Sequence, residues 1–303
     1  MKRKRIFQGV GLASIIAGAV VISSCGENKE ENQNAENQGE KVLRFSAIPD
    51  QDTTAQAERY NPAAKWLSEK LGIKVEFVPS SDYGASVDKF VTGDIQLAWF
   101  GGVTGVQARN EAPGSRAIVA GAKDLQFKSY FIANESTGLT KAETFPQGTK
   151  GMTFTFGSAG STSGCIMPAH FIVKNTNQGP LEFYSKVGFS DSHDKTAYQV
   201  QDGTYQTGVL NYSTYDGLVK DGKIDPNKCR IIWETPAYAD YNFTARADLD
   251  KTFGEGFTDK LQQALIECTD AAVLKAFDRD KFVKVDNSTF QGIADVMKSV
   301  KLK

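Results

Sequence analysis

Residues 157–168 read GSAGSTSGCIMP. The stretch follows an alternating segment, GMTFTFG (151–157), and runs into PAHFIVKN (168–175), so it reads as the turn between a strand and a helix of an α/β chain. Three chemistries use a glycine- and hydroxyl-rich turn of this kind. A nucleophile elbow needs G-x-S-x-G, but the window Gly160–Gly164 has Thr162 at its centre, flanked by Ser161 and Ser163. A phosphate loop needs a lysine after its glycines, and none follows here. What remains is an anion seat: the first N–H groups of the helix have no intrahelical acceptor, they lie at the positive end of the helix dipole, and the hydroxyls add donors. The plainer alternative is a helix cap by Ser161 or Thr162, worth about 1 kcal/mol. The stretch by itself leaves these two readings open.

Outward from that turn, strands and helices alternate from Lys41 onward. VLRFSAI (42–48) reads as a buried strand, and RYNPAAKWLSEKLG (59–72) as a helix with Tyr60, Ala63, Ala64, Leu67 and Leu71 on one face and Gly72 as its stop. KVEFVP, IQLAWFG and RAIVAG follow as strands with short helices between them, an opening that predicts a largely parallel sheet. TDKLQQALIECTDAAVLKAF (258–277) has Leu261, Leu265, Cys268 and Ala272 at helical spacing and reads as one amphipathic helix. Two α/β units in one chain predict two lobes with a ligand cleft between them.

The N-terminus explains where such a molecule works. MKRKR precedes an apolar segment ending in Val21-Ile22-Ser23-Ser24-Cys25, a secretory leader whose end resembles a bacterial lipobox, with Cys25 as the lipidated residue. GENKEENQNAENQGE, which follows Cys25, is polar and of low complexity and reads as a disordered tether. The expected layout is a leader over 1–24, a lipidated tether over 25–41 and a folded body outside the cytoplasmic membrane, on its periplasmic or extracellular face.

Composition narrows the partners. The formal net charge of the 303 residues is −1, which gives no reason to expect nucleic acid, so an anion must be met by local geometry. Cys165, Cys229 and Cys268 form no CxxC pair and allow at most one disulfide, with buried free thiols as the alternative. His170 and His193 are too far apart for a helical metal pair. Neither a metal nor a cofactor is expected.

The order of several further motifs resembles the phosphonate/phosphite-binding subunits of ABC importers, a family of type II periplasmic binding proteins. The motifs are LSEKLGIKVEFVPSSDY, GDIQLAWFGG, FKSYFIANEST, STSG, SDSHDKTAYQV and IIWETPAYADYNFTARADL, and the resemblance covers most of residues 42–250. It implies a two-lobed α/β fold with two crossing segments, one lobe from 42–127 and 236–303 and the other from 128–235. It implies no enzyme activity, an ABC permease and its ATPase as partners, and a monomer held to the membrane by its lipid. It places the anion-binding residues at Ser161, Thr162, Ser163 and His193, with Tyr83 from the facing lobe. Phe100 stands where relatives carry an aromatic hydroxyl, and Asn211 and Tyr212 stand where aminoalkylphosphonate binders place acids. Lys128, near the crossing, is expected to be solvated. The ligand implied is a small tetrahedral oxyanion without a cationic tail: phosphite, a simple alkylphosphonate, phosphate, or a sulfate- or selenate-type anion. AIPDQDTT and LAWFGGVTGVQAR resemble a branch associated with selenate import. Two other classes share this scaffold: a secreted ester hydrolase or transferase using His193 as base, and an envelope sensor subunit.

Overall fold

The computed structural model describes residues 41–300. The leader, Cys25 and the tether up to residue 40 lie outside the described residues.

The first lobe opens with β1 (Val42–Ala47), α1 (Gln56–Leu71), β2 (Lys74–Phe77), α2 (Tyr83–Thr92), β3 (Leu97–Phe100), α3 (Gly102–Glu111) and β4 (Arg116–Gly121). The chain then crosses into the second lobe. That lobe consists of β5 (Ser129–Asn134), β6 (Thr153–Phe156), α4 (Met167–Thr176), α5 (Pro180–Phe183), β7 (Lys186–Phe189), α6 (His193–Gln201), β8 (Thr207–Asn211), α7 (Tyr212–Lys220) and β9 (Cys229–Glu234). A second crossing returns it to the first lobe for β10 (Asn242–Ala245), α8 (Leu249–Phe253), α9 (Phe257–Ile266), α10 (Ala271–Ala276), β11 (Phe282–Lys284) and α11 (Gln291–Ser299).

Each lobe is a mixed sheet covered by helices, ordered β11-β4-β10-β3-β1-β2 in the first and β7-β6-β8-β5-β9 in the second. The opening strands pair in parallel as expected, β2 with β1 and β1 with β3. The expectation of a largely parallel first sheet needs correction, because β10 lies antiparallel between β3 and β4, and β11 lies antiparallel beyond β4. Both strands come from the returning end of the chain, and no local pattern announces where a returning strand inserts.

α1 buries Tyr60, Ala63, Ala64, Leu67 and Leu71 and stops at Gly72, which takes a left-handed conformation (φ 73°) and donates its N–H to the Ser68 carbonyl. Fully burying one leucine of this set stabilises the lobe by about 1.5–3 kcal/mol. The segment 258–277, expected as a single helix, is two. α9 ends at Ile266, and the Asp270 carboxylate accepts from the N–H groups of Ala272 (2.9 Å) and Val273 (3.0 Å) to start α10. The aspartate cap outcompetes continued apolar spacing, and Ala272 is left exposed. Cys165, Cys229 and Cys268 are free and buried.

The two crossing segments hold each other. Phe127 and Tyr238 exchange backbone bonds, Phe127 N–H to Tyr238 O at 2.9 Å and the reverse at 3.0 Å. Beside them the Arg279 guanidinium grips Asp124 with two bonds of 2.6 Å, and it packs on the rings of Tyr241, Trp99 and Phe127 at 4.9, 5.5 and 5.7 Å. This pair is almost wholly buried, so neither member can lose the other without stranding a charge.

Candidate functional site

Five helical turns begin at the cleft between the lobes: α2 at Tyr83, α3 at Gly102, a single turn over Thr162–Ile166 leading into α4, α6 at His193 and α7 at Tyr212. Their positive ends supply an anion field that requires no lysine or arginine. The lobes meet through them. The Val103 N–H donates to the Thr162 hydroxyl oxygen (3.0 Å), the His193 N–H donates to the Asp50 carbonyl (3.0 Å), and a Cβ at Gly160 would stand 3.1 Å from that of Tyr83. The 162–166 turn is wound one residue wider than an α-turn, with Ile166 N–H reaching the Ser161 carbonyl at 3.0 Å.

The three consecutive hydroxyls take three different tasks. Ser161 is the cap: its Oγ accepts the Gly164 N–H at 2.9 Å, and its hydroxyl meets the Tyr83 phenol across the cleft. Thr162 ties the lobes together by accepting from Val103 and lies against the Asp240 carboxylate. Ser163 Oγ is buried without a hydrogen-bond partner. Of the two readings left open for GSAGSTSG, the cap falls on Ser161.

His193 is also buried, and its Nε2 has no partner. Its Nδ1 accepts the Asn211 N–H at 3.3 Å, which in a neutral ring leaves the proton on Nε2. Burial pushes the imidazole down to about 4, so it is neutral above that range. The ring lies against the turn: a Cβ on Gly164 would come within 2.9 Å of both His193 Cε1 and Ser161 Oγ.

Asp240, on the return crossing, is the third buried side chain with an unpartnered polar atom, Oδ2. Its Oδ1 accepts the Gly102 N–H at 3.0 Å. Burial raises the carboxyl to about 7, against the pull of the Gly102 N–H. Gly101 leaves no room for a side chain: a Cβ there would meet Thr162 Oγ1 at 3.0 Å and Asp240 Oδ1 at 3.2 Å.

Several expected site residues need correction. Phe100 is fully buried with its ring 5.5 Å from Phe90, because strand alternation turns it onto α2 while Trp99 faces Tyr241 and Phe243. The cleft is met instead by the backbone after it, at Gly101 to Val103. Asn211 is spent on the protein: its Oδ1 accepts the Thr214 N–H (2.6 Å) and its amide donates to the Tyr241 hydroxyl (3.2 Å), which in turn donates to Asp50 (2.9 Å). Tyr212 is half-buried with its ring on Phe127 (4.9 Å) and Tyr130 (6.1 Å), next to the crossing. Tyr83 does face the cleft, through Ser161 and Gly160. Lys128 is partly exposed and pairs with Glu234 at 3.5 Å. Asp240 and Gly101 were missed because an acid in a crossing loop and a glycine after a strand carry no signal of their own.

At the mouth of the cleft lies a cavity of about 650 Å³ lined from both lobes, with Tyr83, Ser158 and Tyr198 beside Asp52, Asp82, Asp191, Asp194 and Lys195. Asp52 and Asp82 are engaged as caps on Thr54 and Ala85, and Asp194 accepts from Ser192.

The family model described as "ABC transporter, phosphonate, periplasmic substrate-binding protein" matches residues 45–290. Among curated proteins, the chain is 35% identical over 267 residues to the "Probable ABC transporter phosphite binding protein PhnD1" of Prochlorococcus marinus, covering 84% of this chain and 89% of that one. It is 27% identical over 280 residues to the "Phosphate-import protein PhnD" of Mycolicibacterium smegmatis, covering 88% and 84%. The solved structure of the Prochlorococcus protein in complex with methylphosphonate superposes with a TM-score of 0.81 at 33% identity, covering 87% of this chain and 99% of that one.

Proposed function

We propose that this chain, which belongs to the phosphonate periplasmic substrate-binding family of ABC transporters, is the lipid-anchored receptor that captures a small phosphorus oxyanion and hands it to an ABC permease. The observation that carries this is the set of unpartnered buried atoms at the cleft, Ser163 Oγ, His193 Nε2 and Asp240 Oδ2. Leaving such groups unmet costs about 1–3 kcal/mol each, so their persistence at one cleft argues for a ligand that meets them. Ser163 and the neutral His193 donate, and the first N–H groups of the 162–166 turn have no intrahelical acceptor. A tetrahedral anion offers several acceptors in a small radius and suits that set.

No bond is made or broken in this function. The lobes open about the crossing segments at Phe127 and Tyr238, and the ligand shifts the population toward the closed form by contacts available only there. The bonds Val103–Thr162 and His193–Asp50 are such closing contacts, and Tyr83 meeting Ser161 is a third. Phosphite and methylphosphonate are the favoured ligands, since one relative is named a phosphite binding protein and its solved structure is a complex with methylphosphonate. Cys25 and the tether after it supply the lipid anchor and keep the receptor beside its permease.

Calorimetry with phosphite, methylphosphonate, phosphate, sulfate, selenite and selenate tests the reading. Binding of at least one phosphorus oxyanion with 1:1 stoichiometry supports it. Failure of all six, with folded protein, overturns it.

A further inference from the structure

We infer that the Asp50 carboxylate is a positioning group that latches the closed lobes from outside the seat. It fixes the Tyr241 hydroxyl as an acceptor for the Asn211 amide of the facing lobe, and so multiplies the affinity for every anion by one common factor. The inference deepens the oxyanion-receptor reading and rests on it.

The loop after β1 meets the second lobe along a seam of its own. The Asp50 carbonyl takes the His193 N–H at 3.0 Å, and the Gln51 amide reaches the Thr214 hydroxyl at 3.4 Å. Between these contacts the Tyr241 hydroxyl donates to Asp50 Oδ2 (2.9 Å) and accepts from Asn211 Nδ2 (3.2 Å). Asp50 and Tyr241 belong to the first lobe and Asn211 to the second, so opening the lobes breaks the Asn211–Tyr241 bond. All three residues are buried.

The polarity of each bond is determined. Asn211 Oδ1 accepts the Thr214 N–H at 2.6 Å, which only the amide oxygen can do, so the amide nitrogen faces Tyr241. Burial keeps the Tyr241 phenol protonated. It has one proton to give, and the carboxylate is the strong acceptor for it, so the phenol oxygen presents its lone pairs to Asn211. Arg59 Nη1 stands 3.8 Å from Asp50 Oδ1 and faces the carboxylate with a compensating charge. Without that carboxylate the hydroxyl is free to turn its proton toward Asn211, donor against donor. Among the described residues, the buried polar atoms left without a partner fall on Ser163, His193 and Asp240 and on none of the latch side chains. The seat keeps atoms for a ligand; the latch is complete without one.

A group that acts only on closure changes the fraction of molecules in the binding-competent state, and that fraction enters the affinity of all ligands equally. A group that touches the ligand instead changes the ratio between ligands of different shape. Phosphite and methylphosphonate, which differ by a hydrogen and a methyl group on phosphorus, report that ratio.

Calorimetry and stopped-flow kinetics with these two anions on wild type, Asp50→Ala and Asp50→Asn test the latch, after thermal unfolding has shown each variant to be folded. Asp50→Ala should weaken both ligands about 10-fold. The ratio between them should hold within about 2-fold. The loss should appear as faster dissociation at an unchanged association rate, because encounter takes place on the open form. Asp50→Asn still offers an oxygen to the Tyr241 hydroxyl and should recover most of the affinity. Tyr241→Phe keeps the ring on Trp99 (5.7 Å) and Phe127 (5.3 Å) and removes the hydroxyl, so it should reproduce the uniform loss even where Asp50→Ala does not fold. A ratio shifted by more than a few-fold, a loss confined to association, no recovery in Asp50→Asn, or a lowered melting temperature at unchanged affinity each overturns the latch and leaves the receptor reading standing. No binding of either anion, or of any other oxyanion, by the wild-type protein overturns both.

Discussion

The backbone N–H of Asn211 donates to Nδ1 of His193 at 3.3 Å, and that bond decides which ring nitrogen carries the proton. A residue at the end of one strand thereby turns a histidine at the start of a neighbouring helix into a fixed donor. The ring needs no charge to do this, and its burial keeps it neutral.

Two substitutions separate the ring's faces. His193→Asn preserves an acceptor for the Asn211 N–H and removes the outward donor, so methylphosphonate affinity should fall about 10–100-fold with little change in melting temperature. His193→Gln keeps an outward N–H and should lose less affinity. Equal losses in both variants would argue against Nε2 as the ligand donor.

The same burial makes stability depend on pH. The folded imidazole is held at about 4, below the roughly 6.5 of an unfolded chain. Between these values the unfolded state binds more protons, so stability is fully present above about 6.5 and is lost as the pH falls toward 4. The total amounts to roughly 3 kcal/mol. Unfolding curves across that range should show the loss, and His193→Asn should flatten it.

Asp240 has the opposite sign. Its folded carboxyl is raised to about 7 by burial, above the unfolded value of roughly 4. The folded state binds more protons across that interval, so ligand-free stability is lost as the pH rises through about 7. Asp240→Asn should melt higher than wild type at alkaline pH. A variant less stable than wild type there would contradict the assigned direction.

Ser161 and Ser163 should respond differently to the same change. Ser161→Ala removes a cap and should lower stability by about 1 kcal/mol. Ser163→Ala removes an unpartnered donor, so the melting temperature of the free protein should hold or rise while affinity drops by about 1–3 kcal/mol. Parallel stability and affinity profiles for the two variants would defeat this division of labour.

Gly101→Ala tests how tightly the seat closes. The position has φ −72°, which alanine adopts without strain, but its Cβ would lie 3.0 Å from Thr162 Oγ1 and 3.2 Å from Asp240 Oδ1. Both atoms are clamped, so the methyl should obstruct closure. Affinity should fall at least about 10-fold by calorimetry with the first lobe still folded, the range expected when a packed site is overfilled by one methyl.

Much of the molecule was legible without coordinates. The apolar face of α1, its stop at Gly72 and the strand–turn–helix at 151–175 follow from periodicity and turn chemistry acting over a few residues. The same local reading failed at Asp270, where apolar spacing ran on but a side-chain cap had already ended the helix. It failed at Phe100 for a different reason: β3 was legible as a strand, but which of its faces turned toward α2 was not.

What the sequence determined by itself was the alternation of elements, the position of the hydroxyl-rich turn, and the lack in it of a lysine and of a serine at the nucleophile-elbow position, which Thr162 takes. Only the tertiary structure decided which of Ser161, Thr162 and Ser163 caps, which bridges and which stays without a partner. It alone brought Asp240 to them and set the tautomer of His193. The physical reason is range. Propensity and periodicity act between residues a few positions apart, whereas a hydrogen bond is set by a separation of about 3 Å in space, and in this cleft its two partners come from distant stretches of the chain.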